Sequence, residues 1–296
     1  MRNRYLAYFF VLLAVLFWAP NSAISKVLVA DLDSIQILFF TSLFATLSLF
    51  FFVLIQKKLP IVKSYTLKDY WNFALLGFVG IFLVYLLLLT SIALLPAQET
   101  LVLFYLFPIP IIPLGVLFLK EKFSLKKILA SIISVIGAII VLTKGNIFSL
   151  QFVSTIGILF GLGAAVSHAI FSIFDKKNNY EKFTSTMFYF LTSLVLSFFV
   201  MVLFSEIPVL SFPQILGLLS IGLVVNGLGY TFWFLALKEG DTALVSNIML
   251  LTPFLALIFI AILVSEEIML SSILGLIIIV AGIAFQSSQK KEALSR

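Results

Sequence analysis

Cysteine is absent from the 296 residues, histidine occurs once, and 13 acidic residues stand against 19 Lys and Arg. Without cysteine there is no disulfide framework, no thiolate nucleophile and no zinc–thiolate site. Charged residues make up 11% of the chain. That is less than half of the roughly 25% usual in soluble domains, so a water-facing surface cannot be covered. A soluble enzyme and a disordered tail are excluded on that ground. The positive excess carries no nucleic-acid reading, because no basic stripe interleaved with polar surface is present to track phosphates. No P-loop, no His-rich cluster and no close carboxylate pair within an apolar run occurs. ATP-driven transport by this chain alone therefore has no motif, and neither a metal nor a cofactor is expected.

What is abundant is apolar: 62% of residues are hydrophobic and 33 are Phe. Runs at Tyr5–Val27, Ile35–Ile55, Asp69–Leu94, Gln98–Leu119 and Leu125–Thr143 predict five helices. Five more are predicted at Thr155–Phe174, Ser185–Phe204, Pro213–Leu237, Thr242–Val264 and Ser271–Ser287. About 20 residues cross a bilayer, so the expectation is an all-α integral membrane protein with ten transmembrane helices. The first run follows Arg2 and Arg4 but is too long for a signal-peptide core; it reads as a retained helix. Alternate loops gather seventeen of the nineteen Lys and Arg on one side, leaving Lys26 and Lys144 on the other. The positive-inside rule then places both termini in the cytoplasm and the chain in the cytoplasmic (inner) membrane, with the lipid bilayer as its surroundings.

A repeat is visible at an offset of 145. Gly77 falls on Gly222, Tyr85 on Tyr230, Pro108 on Pro253, Glu121 on Glu266 and Gly137 on Gly282. At an offset of 150, Trp18-Ala19 falls on His168-Ala169 and Lys26 on Lys176. This divides the chain into a five-helix repeat over 1–143, a linker over 144–154, a second repeat over 155–288 and a cytoplasmic tail over 289–296. Five is odd, so the second copy would enter the membrane inverted, a recurring plan of secondary transporters.

The segments LFWAPNSAISK (Leu16–Lys26) and LLGFVGIFLVYLLLLTSIALLPA (Leu75–Ala97) carry a family likeness. So do the echoing stretches Leu106–Leu142 and Leu250–Phe285, each a Pro-then-acidic spacing followed by a Gly-containing helix. Together they resemble the drug/metabolite transporter superfamily, in its EamA-type ten-helix form. The resemblance implies a pseudo-two-fold bundle around a central cavity built mainly by helices 1, 3, 4, 6, 8 and 9. It implies peripheral helices 5 and 10, a homodimer contact in some relatives, and small-molecule substrates such as amino acids, nucleosides, vitamins or toxic amphiphiles. Many relatives carry Arg early in the second helix, where this chain reads FFTSLFA (Phe39–Ala45).

Polar side chains in hydrocarbon are costly unless they face protein or water, so they outline candidate substrate-binding residues. Asn226, Tyr230 and Trp233 form an i, i+4, i+7 stripe on the eighth helix, read as a cavity wall or as interhelical glue with an interfacial Trp. His168, Ser172 and Asp175 repeat that spacing on the sixth. His168 is either a cavity residue or a neutral packing partner, and Asp175 is expected in solvent at the Asp-Lys-Lys boundary. Trp18, Asn21, Ser22 and Ser25 surround Pro20, whose missing N–H marks a hinge or a fixed kink. Tyr85 and Tyr105 offer hydroxyls. Pro108 on the fourth helix and Pro253 on the ninth, with Asn247 and Thr252 beside the latter, mark interrupted helices at matching places. Glu99 is expected at the outer mouth in contact with water. Small residues at Ala130, Ser134, Gly137, Ala138, Gly275 and Gly282 permit close approach, within the chain or between two copies.

The sequence therefore reads as a secondary transporter of a small neutral, zwitterionic or amphiphilic metabolite, amino acid export first, working by alternating access. The rival reading is a polytopic lipid-processing enzyme or flippase-like subunit, which would need clustered acidic, His or Arg residues at one interface.

Overall fold

The computed structural model describes residues 3–264 and 269–287. Arg2, the landmark Glu266 with its neighbour Glu267, and the tail over 289–296 with Lys290, Lys291 and Arg296 lie outside them. The described residues form ten membrane-length helices and no strand. They are α1 Arg4–Leu28, α2 Ser34–Ile55, α3 Leu67–Leu94, α4 Ala97–Leu119 and α5 Leu125–Leu142. Then follow α6 Thr155–Asn178, α7 Lys182–Phe204, α8 Phe212–Glu239, α9 from Thr242 and α10 Leu270–Ser287. The protein is an all-α, multi-pass membrane fold.

Local chemistry sets the helix starts. Asp33 and Gln36 close a capping box on α2, Thr66 and Asp69 another on α3, and Ser211 and Gln214 a third on α8. Each satisfies backbone donors that the first turn leaves without partners. These boxes begin α3 two residues before the expected Asp69. At the other boundary the Asp-Lys-Lys stretch is the last turn of α6, capped by Asn179 in the left-handed region at φ 53°.

Interruptions fall where proline removes a donor. Helix α1 divides into Arg4–Trp18 and Asn21–Leu28 around Ala19-Pro20. Helix α4 divides into Ala97–Phe104 and Pro108–Leu119, and α9 into Thr242–Met249 and Thr252–Val264. Two further irregularities have no proline: α3 is π-helical over Phe78–Phe82 and α8 over Ile221–Gly229.

Helix α1 packs on α8 and α9, and α6 packs on α3 and α4. Helix α2 lies against α7 and α8, α7 against α3, and α5 against α10. Exchanging α1–α5 for α6–α10 carries α1–α8 onto α6–α3, α1–α9 onto α6–α4 and α2–α8 onto α7–α3, and leaves α2–α7 and α5–α10 as they are. The α5–α10 contact uses the small residues: a Cβ on Gly137 would sit 2.6 Å from the Gly275 carbonyl oxygen. That small-residue seam is closed inside the chain. Phe51 and Phe199 point outward, as bulk facing acyl chains. Lysines of the 2–3, 4–5, 6–7 and 8–9 connections share one end of the bundle, where Lys58 pairs with Glu181 at 2.7 Å and Lys127 with Asp241 at 2.5 Å.

Candidate functional site

Midway through α6, His168 is 1% exposed and ringed by aromatics from three other helices. Ring centroids lie at 5.1 Å for Phe107, 5.5 Å for Phe104, 6.0 Å for Trp233, 6.1 Å for Trp18 and 6.2 Å for Tyr230. One turn along, the Ser172 hydroxyl donates to the His168 carbonyl at 2.8 Å and accepts from Trp233 Nε1 at 3.1 Å. Trp233 is fully buried, so it is an interior residue and not an interfacial anchor. Neither ring nitrogen of His168 has a partner, nor does the Asn226 amide nitrogen on α8. Buried donors and acceptors left unpaired carry a desolvation penalty of about 1–3 kcal/mol each.

The two π segments shape this centre from both sides. A π turn shifts the backbone ladder by one residue and frees carbonyls, a geometry frequent at functional sites. The Val225 carbonyl of the α8 segment accepts Trp18 Nε1 from α1 at 2.9 Å. The Val79 carbonyl of the other segment accepts Ser167 Oγ from α6 at 2.7 Å. Glycine is required at both contacts: a Cβ on Gly229 would lie 2.4 Å from Trp18 Nε1, and one on Gly80 would lie 1.9 Å from the Phe171 ring. Each π segment thus receives a side chain from the first helix of the opposite five.

The expected midplane cavity is filled by these rings. Open volume lies toward both ends of the bundle. At the lysine-rich end a cavity of about 160 Å³ is lined by Arg4, Lys127 and Asp241, and a shallow one of about 540 Å³ by Phe118, Lys176 and Lys238. Toward the lysine-poor end a cavity of about 270 Å³ is walled by α1, α4, α5 and α9. Ser22, Gln98, Tyr105 and Pro253 are among its lining residues. Tyr105 occupies the interruption of α4, and its ring is 6.0 Å from that of Phe104. This cavity therefore reaches toward the aromatic centre without entering it.

Of the residues singled out from sequence, Trp18, His168, Ser172, Tyr230 and Trp233 come together here, with Asn226 on the adjoining π segment of α8. Pro20, Pro108 and Pro253 stand at the three interruptions. Tyr85 is half-buried on α3 and makes none of the ring contacts around His168. Asn21 accepts from Ser25 within the second part of α1 at 3.3 Å. Asn247 points to α10, donating to Gln286 at 2.6 Å.

Two carboxylates depart from expectation. Asp175 is fully buried and not solvated: Lys182 Nζ lies 2.6 Å from one oxygen, and the Tyr189 hydroxyl donates to the other at 3.0 Å. Glu99 is 2% exposed and does not face water. It accepts the backbone N–H groups of Gln151 and Phe152 at 2.7 and 3.0 Å, tying the 144–154 linker to α4. Chain position puts both at a run's end, whereas the partners that bury them come from other segments. Sequence reasoning misses Phe104, Phe107 and the π carbonyls as site residues; Gly222, Gly227 and Gly229, which permit close packing or local deformation of the eighth helix, are the sequence signal for its π segment.

The EamA-like transporter family matches residues 5–143 and again 155–288. The chain belongs to this family. As an EamA-like protein it is a multi-pass membrane transporter. Over 295 residues it is 25% identical to an uncharacterized transporter of Clostridium kluyveri, covering 97% of this chain and 94% of that one. It is also similar to two uncharacterized transporters of Bacillus subtilis, YvbV and YoaV. YvbV is 26% identical, covering 94% of this chain and 90% of its own, and YoaV is 24% identical, covering 95% and 97%. A solved crystal structure shares the EamA-like fold at a TM-score of 0.87 and 16% identity, covering 98% of this chain and 99% of that one.

Proposed function

We propose that this chain carries a small neutral, zwitterionic or amphiphilic metabolite, amino acid export first, across the cytoplasmic membrane by alternating access. In this reading α1–α5 and α6–α10 are inverted repeats that rock about the His168 centre, with both termini in the cytoplasm. The observation that carries it is the two unpaired His168 nitrogens among five aromatic rings, with the unpaired Asn226 amide nitrogen on the adjoining π segment. Polar atoms left bare at the meeting of both halves are matched by cargo that passes between them. Trp18, Tyr85, Tyr105, His168, Ser172, Asn226, Tyr230 and Trp233 form the binding path in this scheme, Asn21 and Asn247 flank it, and Pro20, Pro108 and Pro253 act as hinges. The absence of fixed charge at the centre favours uncharged or charge-balanced cargo. With Glu99 and Asp175 both engaged structurally, facilitated flux is preferred over proton exchange. A homodimer would use the outer faces of α5 and α10.

The test is uptake and efflux of pooled labelled metabolites in proteoliposomes, with and without a pH gradient. Movement of a neutral or zwitterionic compound that is lost in Asn226→Ala, with normal insertion, supports the proposal. Folded protein that moves nothing under either condition overturns it.

A further inference from the structure

At the lysine-rich end of the bundle a compact set of charges is contributed by both halves. Glu121, in the connection after α4, accepts from Lys176 Nζ of α6 at 3.0 Å and from Thr242 Oγ1, the first residue of α9, at 2.6 Å. Lys176 Nζ also donates to the Gly240 carbonyl at 2.7 Å. Lys127, in the first turn of α5, lies 2.5 Å from Asp241 and 4.0 Å from the second oxygen of Glu121. Asp241 in turn caps α9 through the Leu244 N–H at 3.2 Å. The Glu121 and Lys176 side chains are only 7% and 4% exposed. One carboxylate thus joins the α4–α5 connection to the end of α6 and the start of α9.

We infer that Glu121 is the positioning residue of a gate at the lysine-rich mouth, closed in this structure, that must part for cargo to exchange on that side. The inference rests on the alternating-access reading above. The physical case is the choice of charge over grease. An apolar seal would expose hydrophobic surface on opening, at roughly 25 cal/mol per Å², and would hold the bundle in one state. A buried ion pair is different, because its Coulombic gain is largely offset by the desolvation of both partners. When the mouth opens, the same groups regain water. Closed and open states then lie close in free energy, as a reversible gate needs. The placement agrees with the remaining geometry: the network stands between two cavities at the lysine-rich end, one lined by Lys127 and Asp241 and the other by Lys176 and Lys238, and the aromatic centre deeper in the bundle is packed.

The cysteine-free chain allows a direct test that needs no cargo. Ser246 lies one turn deeper than Thr242 on α9, is fully buried, and donates to the Thr242 carbonyl at 2.7 Å. Ser246→Cys is therefore a near-isosteric reporter behind the gate. The full-length protein is reconstituted in liposomes and treated with a membrane-impermeant maleimide from each side. Against Ser246→Cys alone, adding Glu121→Gln or Lys176→Gln is expected to raise labelling from the lysine-rich side. The rise should be at least about tenfold, the order set by losing one charge-assisted contact. Thr242→Val, which removes a single hydrogen bond, serves if Glu121→Gln does not fold and should move the rate the same way by less. Unchanged labelling in the folded Lys176→Gln and Thr242→Val proteins overturns the inference and leaves the network a static staple. Labelling that responds as stated in a protein that moves no metabolite upholds the gate and removes the transport reading instead.

Discussion

Asp175, Lys182 and Tyr189 show how a charge can sit in the interior of a chain with so few of them. Lys182 donates both to the Asp175 carboxylate and to the Asp175 carbonyl at 3.1 Å, so one ammonium satisfies two acceptors across the α6–α7 turn. Removing one partner strands the other. Lys182→Met is expected to lower stability by about 3–5 kcal/mol, while Lys182→Met with Asp175→Asn recovers most of it; thermal unfolding in detergent compares them. The pair between Lys58 and Glu181 is about a fifth exposed and weaker. Burial pushes the Glu181 carboxyl up, but the Lys58 hydrogen bond and the Thr184 and Phe183 N–H groups outweigh it and leave it below its ordinary value. A carboxyl lowered on folding adds stability above its unfolded value and loses it as pH falls through the folded one. Melting temperature should therefore hold near neutrality and decline below about pH 4.3, and Glu181→Gln should flatten part of that decline.

At the scale of the element, the π segments of α3 and α8 do what a regular helix cannot: they turn a backbone carbonyl outward to a donor from the opposite half. Gly229→Ala tests this, since the added Cβ would displace Trp18 from Val225. The expected loss is about 1–3 kcal/mol with a shift in Trp fluorescence. Gly163→Ala is the control: its nearest foreign atom would be 3.6 Å away, so stability should hold or rise slightly. The ten spans were legible because hydrocarbon demands long apolar runs and helices that satisfy their own backbone. The interruptions were legible because Pro20, Pro108 and Pro253 lack a donor. The π turns were not, because periodicity has no phase where nearly every residue is apolar. Glu99 and Asp175 were misplaced for a related reason. Each lies near the end of an apolar run, and no local pattern announces that Lys182, Tyr189 or the amides at 151–152 will cover it.

For the whole molecule, stability and transport place opposite demands on the His168 centre, and that opposition can be measured. The rings of Trp18, Phe104, Phe107, Tyr230 and Trp233 pack around an imidazole whose nitrogens bond to nothing. A phenyl ring fits the same aromatic neighbours and leaves no unpaired polar atom, so His168→Phe is expected to keep or raise the melting temperature. A centre that served packing alone would gain by the change. If cargo passes through it, the change removes the groups that meet that cargo, and flux of whichever metabolite proteoliposome screening identifies should fall at least about tenfold, the weight of one buried hydrogen bond. Asn226→Leu should behave likewise. Unchanged flux in both stabilised variants would move the binding path elsewhere, with the Tyr105-lined cavity between α1, α4, α5 and α9 the place to search. Stability retained with flux lost would mean that the unpaired atoms are kept for the cargo and not for the fold.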